Sequence, residues 1–89
     1  MAEILVAPTQ DGHFTVTVRE GSSESEHAVT ASEDDLRRLG GGYESPEAFV
    51  RACFEFLLER EPRESILRSF DVSVIGRYFP EFESTIVRS

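Results

Sequence analysis

The groups able to do chemistry in this chain are few and scattered. They are His13, His27 and Cys53, the carboxylate run Glu33-Asp34-Asp35, and the arginines Arg60, Arg63, Arg68 and Arg77. Imidazoles serve as metal ligands or general bases, a thiolate as a nucleophile, and neighbouring carboxylates as a cation site, but each needs partners at set positions. A metal centre takes three or four converging ligands. His13 falls on the polar side of one predicted strand and His27 on the apolar side of the next, beside Val18 near the sheet's edge, so the two cannot share an ion. Cys53 sits between Ala52 and Phe54 on the apolar arc of a predicted helix. Burial there raises a thiol's pKa and leaves a small hydrophobe rather than a nucleophile. Calcium loops alternate their ligands around a glycine, whereas Glu33-Asp34-Asp35 comes after Ser32 with capping-box spacing and suits the positive end of a helix dipole. Gly40-Gly41-Gly42 lacks the lysine and the strand-to-helix setting of a phosphate-binding loop and reads as a helix stop. The sequence therefore predicts no catalytic residue, no metal site and no cofactor.

Two groups are candidates for binding instead. Arg63, Arg68 and Arg77, with Arg60, form the one local basic cluster, and they are the first place to look for an anion contact. Glu59, Glu61 and Glu64 are interspersed with them, so mutual pairing competes. The second group is Tyr78-Phe79-Pro80-Glu81-Phe82. Aromatics around a helix-ending proline either lock a C-terminal segment onto the core or form an exposed anchor, and a thin core favours the locking role.

The elements that must position these groups are legible from periodicity and turn chemistry. Phe14, Val16 and Val18 alternate with polar residues, a period-two strand over residues 13–19. Gln10-Asp11-Gly12 joins it to a first strand over residues 3–8, in a register that sets Ile4 opposite Val18, Val6 opposite Val16 and Pro8 opposite Phe14. A third strand over residues 26–31 comes after the polar stretch EGSSES. Pairing Arg19 with Glu26 would set Val16 against Val29 and Phe14 against Ala31. Ser32 caps a helix over residues 33–39. Ser45-Pro46-Glu47 opens the main helix over residues 46–60, which Glu61-Pro62 ends. Short helices are expected over residues 63–69 and 72–79, with residues 81–89 a frayed tail.

Six of the seven phenylalanines lie between Ser45 and Phe82, which concentrates the apolar mass on the main helix and the C-terminal segment. At 100° per residue the helix's apolar side chains cover an arc of roughly 240°, against the ~100° that lying on a sheet demands. The surplus needs a cover: the C-terminal segment, a second copy or another protein. Phe54, Leu58, Tyr78, Phe79 and Phe82 are the corresponding candidate interaction surface.

Composition sets the outer bounds. Eighty-nine residues suit one domain, residues 1–89, with a thin core. The net charge of −8, from 17 acidic and 9 basic residues, repels phosphate and argues against a nucleic-acid partner. No apolar run approaches the ~20 residues that cross a bilayer, and the N-terminus lacks the basic and apolar regions of a secretory signal. A single cysteine forms no internal disulfide, so a reducing, cytoplasmic setting is expected.

The segment ESILRSFDVSVIGRYFPEF, preceded by FEFLLEREP, resembles the C-terminal part of a group of small uncharacterised bacterial proteins. The resemblance covers about half the chain and implies a bacterial origin but no activity. The order of a three-stranded meander and then a helix is similar to that of HicB-type antitoxins, which implies an antitoxin-like regulatory component. The chain departs from that family in lacking its Gly-Tyr and Leu-Pro-Gly elements and any subsequent DNA-binding segment.

The expected fold is α+β, of order β-β-β-α-α-α-α: a three-stranded antiparallel meander covered by one main helix and two or three short C-terminal helices. The expected function is a non-catalytic protein-interaction or regulatory module, acting on a protein partner or on itself as a homodimer. The alternative is a small ligand-binding domain or enzyme with a pocket near Tyr78–Phe82.

Overall fold

The computed structural model describes residues 2–87. Strands β1 (Glu3–Gln10), β2 (His13–Glu20) and β3 (Ser23–Thr30) form an antiparallel meander. In the first hairpin Ile4 faces Val18, Val6 faces Val16 and Pro8 faces Phe14, with an irregularity between Pro8 and Gln10. Gly12 has a φ of 75°, the left-handed conformation glycine adopts without steric cost. Its carbonyl accepts from the Ala31 N–H at 2.9 Å, which ties this turn to the far end of β3.

The second hairpin corrects the expected register. EGSSES is not a loop. The turn is Gly21-Ser22 alone, with Gly21 at a φ of 61° and Glu20 paired with Ser23. A two-residue turn with glycine first is the II′ pattern, whose twist matches the flanking strands. Arg19 therefore pairs with Glu24 rather than Glu26, and Val16 meets His27. The slip is two residues, so the apolar side of β3 still faces the core.

The larger correction is to the sheet itself. It has four strands in the order β1-β2-β3-β4, and β4 (Ser69–Asp71) runs parallel to β3. The sheet is mixed, not a pure antiparallel meander. The helix expected over residues 63–69 is cut to a 3-10 helix at Arg63–Ser65, which gives way to this strand. The Arg68 carbonyl accepts from the Ala28 N–H at 2.7 Å, and Thr30 donates to the Asp71 carboxylate at 2.7 Å. These bonds come from residues about forty positions upstream, so no local periodicity announces the strand.

The helices begin where their caps dictate. Ser32 accepts from the Asp35 N–H at the start of α1 (Glu33–Gly40), and Ser45 from the Ala48 N–H at the start of α2 (Pro46–Arg60). α1 continues through Gly40 and ends without a left-handed glycine. Gly40 packs closely on Phe49: a Cβ there would stand 3.1 Å from the ring, which would have to give by a few tenths of an ångström. Asp71 accepts from the Ser73 N–H and starts a 3-10 turn at Val72–Val74 that leads into α3 (Ile75–Tyr78).

Residues 82–86 are not frayed. Phe82–Ile86 is helix α4, with Phe82 and Ile86 both buried. Phe56 meets the Phe82 ring edge-on at 5.1 Å and the Phe79 ring at 5.9 Å. The end of the expected tail, residues 88–89, lies outside the described residues.

The core is therefore a three-part stack. The apolar face of the sheet (Ile4, Phe14, Val16, Val18, Val29) packs on α2, and the C-terminal segment covers the other side of α2 with Ile66, Val72, Ile75, Phe82 and Ile86. No described helix is long and apolar enough to cross a membrane.

The open edge of β1 is blunted. The Ile4 carbonyl accepts from Arg51 Nη1 at 3.1 Å, and Pro8, on the same alternation, brings no N–H to that edge. Both devices discourage another strand from pairing there.

Candidate functional site

An apolar groove lies where the end of α2 meets β4 and α3. It encloses about 230 Å³ and is lined by Leu57, Glu61, Ser65, Ile66, Leu67, Phe70, Val74, Ile75, Tyr78 and Phe79. Local chemistry places each wall. Pro62 turns the chain after α2, with the Glu61 N–H still bonded to the Leu57 carbonyl at 2.9 Å. The 3-10 turn at Arg63–Ser65 then reverses direction, so that Ile66 drops into the core while Leu67 stays on the surface. Phe70 pairs with Val29 in the sheet, and its ring stacks at 5.9 Å on Phe54. Across the groove α3 presents Tyr78. Leu67 is 48% exposed and Tyr78 68% exposed, a large apolar and aromatic area to leave in water.

Among the described residues Glu61 is the sole carboxylate in the lining, and no arginine lines the groove. It makes no ion pair among the described residues, although carboxylates close by do. Arg60 pairs with Glu59 at 3.3 Å and Glu81 at 3.0 Å, and Arg63 with Glu64 at 3.9 Å. Partial burial pushes the Glu61 carboxyl above its ordinary range.

The groove floor is tied to the sheet through His27. Its Nδ1 lies 2.8 Å from the Leu67 carbonyl and its Nε2 2.9 Å from Ser25 Oγ. A carbonyl only accepts, so Nδ1 carries a proton and donates to it, while Nε2 and the Ser25 hydroxyl share a hydrogen bond. Hydroxyl, imidazole and orienting carbonyl copy the order of a nucleophile, base and orienter. Yet neither Ser25 nor His27 lines the groove, and the ring is buried against Phe54 at 5.3 Å. The arrangement satisfies a buried imidazole and holds Leu67 in place. His27 lies opposite Val16 rather than Val18, two residues further in than the sequence predicts, because the Gly21-Ser22 turn moves β3 by two residues.

The expected interaction surface divides. Phe54 and Phe82 are in the interior, and the surplus arc of α2 that motivated a dimer through Phe54 is covered by the chain's own C-terminal segment. Phe70 of β4 and His27 meet the Phe54 ring, while Phe82 of α4 meets the Phe56 ring. Leu58 and Phe79 are partly buried, and Tyr78 alone of the five stands well exposed.

The expected anion contact also divides. Arg63 is largely buried and held by Glu20 at 3.1 Å, so the protein's own carboxylates occupy it. Arg68 and Arg77 are exposed, and neither makes an ion pair among the described residues, whereas Arg63 pairs with Glu20 and Glu64. Cys53 is fully buried, and burial drives its thiol far above the ordinary range. Glu33-Asp34-Asp35 occupies the first turn of α1, where Asp34 and Asp35 pair with Arg38. No group of three or more His, Cys, Asp or Glu is placed to hold a metal among the described residues.

Sequence reasoning missed Glu61 and Leu67. A glutamate before a proline reads as a helix end, and nothing local says that the turn leaves its carboxylate unpaired beside apolar surface.

No protein-family model matches the chain, and no curated protein or solved structure matches it.

Proposed function

We propose that this protein is a non-catalytic interaction module whose groove receives an apolar anchor from a partner protein, in a reducing, cytoplasmic setting. The observation that carries this reading is the pairing of Leu67 and Tyr78, both exposed, on the rim of one apolar groove. Tyrosine is enriched among the side chains that dominate interface energetics, because it offers large rigid area with a polar tip. The groove is smaller than the ~300–1,000 Å³ that typically encloses a small molecule, and a partner's side chain suits it better. The single buried thiol supports the reducing setting.

Selection from a randomised dodecapeptide display library tests the reading. Wild-type protein should enrich sequences with a recurrent apolar anchor. Tyr78→Glu and Leu67→Glu variants, both altered at exposed positions and verified as folded by circular dichroism, should lose them. Failure of the wild type to enrich any sequence, or enrichment unchanged in both variants, would overturn it.

A further inference from the structure

We infer that the groove is selective for a cationic anchor: a peptide segment of a partner protein that presents an arginine beside an apolar residue, its guanidinium paired with Glu61. This rests on the reading that the groove is a docking site, and it specifies what docks.

The inference stands on the make-up of the groove. Among the described residues Glu61 is its one charged lining residue. A neutral apolar occupant would strip more water from that carboxylate and return nothing, since a desolvated charge is costly unless paired. An acidic occupant would be repelled. A cation resolves the conflict by pairing with Glu61 while its stem lies along Leu57 and Ile66, as long basic side chains do on apolar surface. Tyr78, on the rim, offers an aromatic face to the same cation. The preference for arginine over lysine comes from the planar guanidinium, which bonds a carboxylate through two N–H groups and stacks on aromatic rings.

Among the described residues no cation lies within ion-pair distance of Glu61. Arg60 is next in sequence to Glu61 but lies 3.6 Å over the Phe56 ring and pairs with Glu59 and Glu81. Arg63, two residues on, is held by Glu20. The partial burial that raises the Glu61 carboxyl's pKa agrees with a site lacking its cation. At longer range, the net charge of −8 favours the approach of a basic segment.

The same peptide display library provides the test, with wild type and Glu61→Gln compared. Glutamine keeps the side-chain length and leaves the backbone bond to Leu57 in place. Wild-type protein should enrich sequences in which arginine adjoins an apolar residue. A synthetic peptide of the winning sequence, titrated by calorimetry, should bind Glu61→Gln about tenfold or more weakly, and raising the salt should weaken wild-type binding more than variant binding. Enrichment of apolar sequences free of arginine and lysine, or equal affinity for both proteins, would overturn the cation while leaving the docking groove intact. No enrichment at all would remove the groove as a docking site. A dimer at micromolar concentration that Tyr78→Glu dissociates would name a second copy as the occupant and overturn the partner segment.

Discussion

On the flank of α2 that faces α4, Phe82 and Ile86 are buried, Tyr43 donates to the Ile86 carbonyl, and Arg38 and Arg60 reach Glu83 and Glu81. On the flank that faces β4 and α3, Leu67 and Tyr78 are exposed, and Glu61 has no cation among the described residues. The same C-terminal segment supplies both flanks. The difference lies in what each stretch was free to do. Phe82–Ile86 forms a helix whose apolar side chains are one turn apart and meet α2 together. Residues 61–66 spend their backbone hydrogen bonds on local turns and Arg68 joins the sheet edge, which leaves Leu67 outside. A fold that had only to cover α2 could have closed the second flank as it closed the first.

The sharpest way to break this comparison is Phe82→Ala. The side chain is 1% exposed, and its loss should cost about 3–5 kcal/mol in a urea unfolding titration, with much of the domain's stability at stake. A cost under about 1 kcal/mol would mean that α4 does not close its flank. His27→Ala comes next. It removes the donor to the Leu67 carbonyl and should cost about 1–3 kcal/mol. Amide hydrogen exchange should then show residues 67–70 losing protection before β1 and β2 do.

Asp71 links the groove's strand to pH. Partial burial alone would raise its carboxyl, but hydrogen bonds from Ser73 and Thr30 outweigh it and hold the pKa below the ordinary value of 3.8. A carboxylate depressed in the folded state contributes stability that is present above the unfolded pKa and lost as pH falls through the folded one. Wild type should therefore exceed Asp71→Asn in stability at neutral pH, and the gap should close as acid titration passes below 3.8. An unchanging gap would show that the carboxylate's charge plays no part.

The smallest effect belongs to the rim. Tyr78→Ala should move the unfolding free energy by no more than about 0.5 kcal/mol while abolishing peptide selection. If it costs as much as Phe82→Ala, Tyr78 is part of the core and the two flanks are alike.

Much of the architecture is legible along the chain. Ser32, Ser45 and Asp71 each cap the turn after them, and Gly12 takes the left-handed conformation its hairpin requires. The β1–β2 register is legible because a turn and an apolar face agree on it. The β2–β3 register is not, because Gly21-Ser22 lies inside a polar stretch that hides a two-residue turn. The error is contained, since a slip of two keeps each side chain on its own face.

The candidate site is legible only in part. Tyr78 stands out in the aromatic run before Pro80, but residue type does not separate it from Phe54 and Phe82. Burial separates them, and burial depends on which element arrives to cover α2. The caps, the turns, the alternating face of the strands and an α2 too apolar to be clothed by three strands alone are written in the order of the residues. They are properties of side chains within a few positions of one another. That β4 joins β3 in parallel, that α4 covers one flank and that Glu61 is left beside an open groove are settled in three dimensions. Each is a meeting of segments far apart in the chain, set by which buried surfaces and hydrogen bonds can be satisfied together.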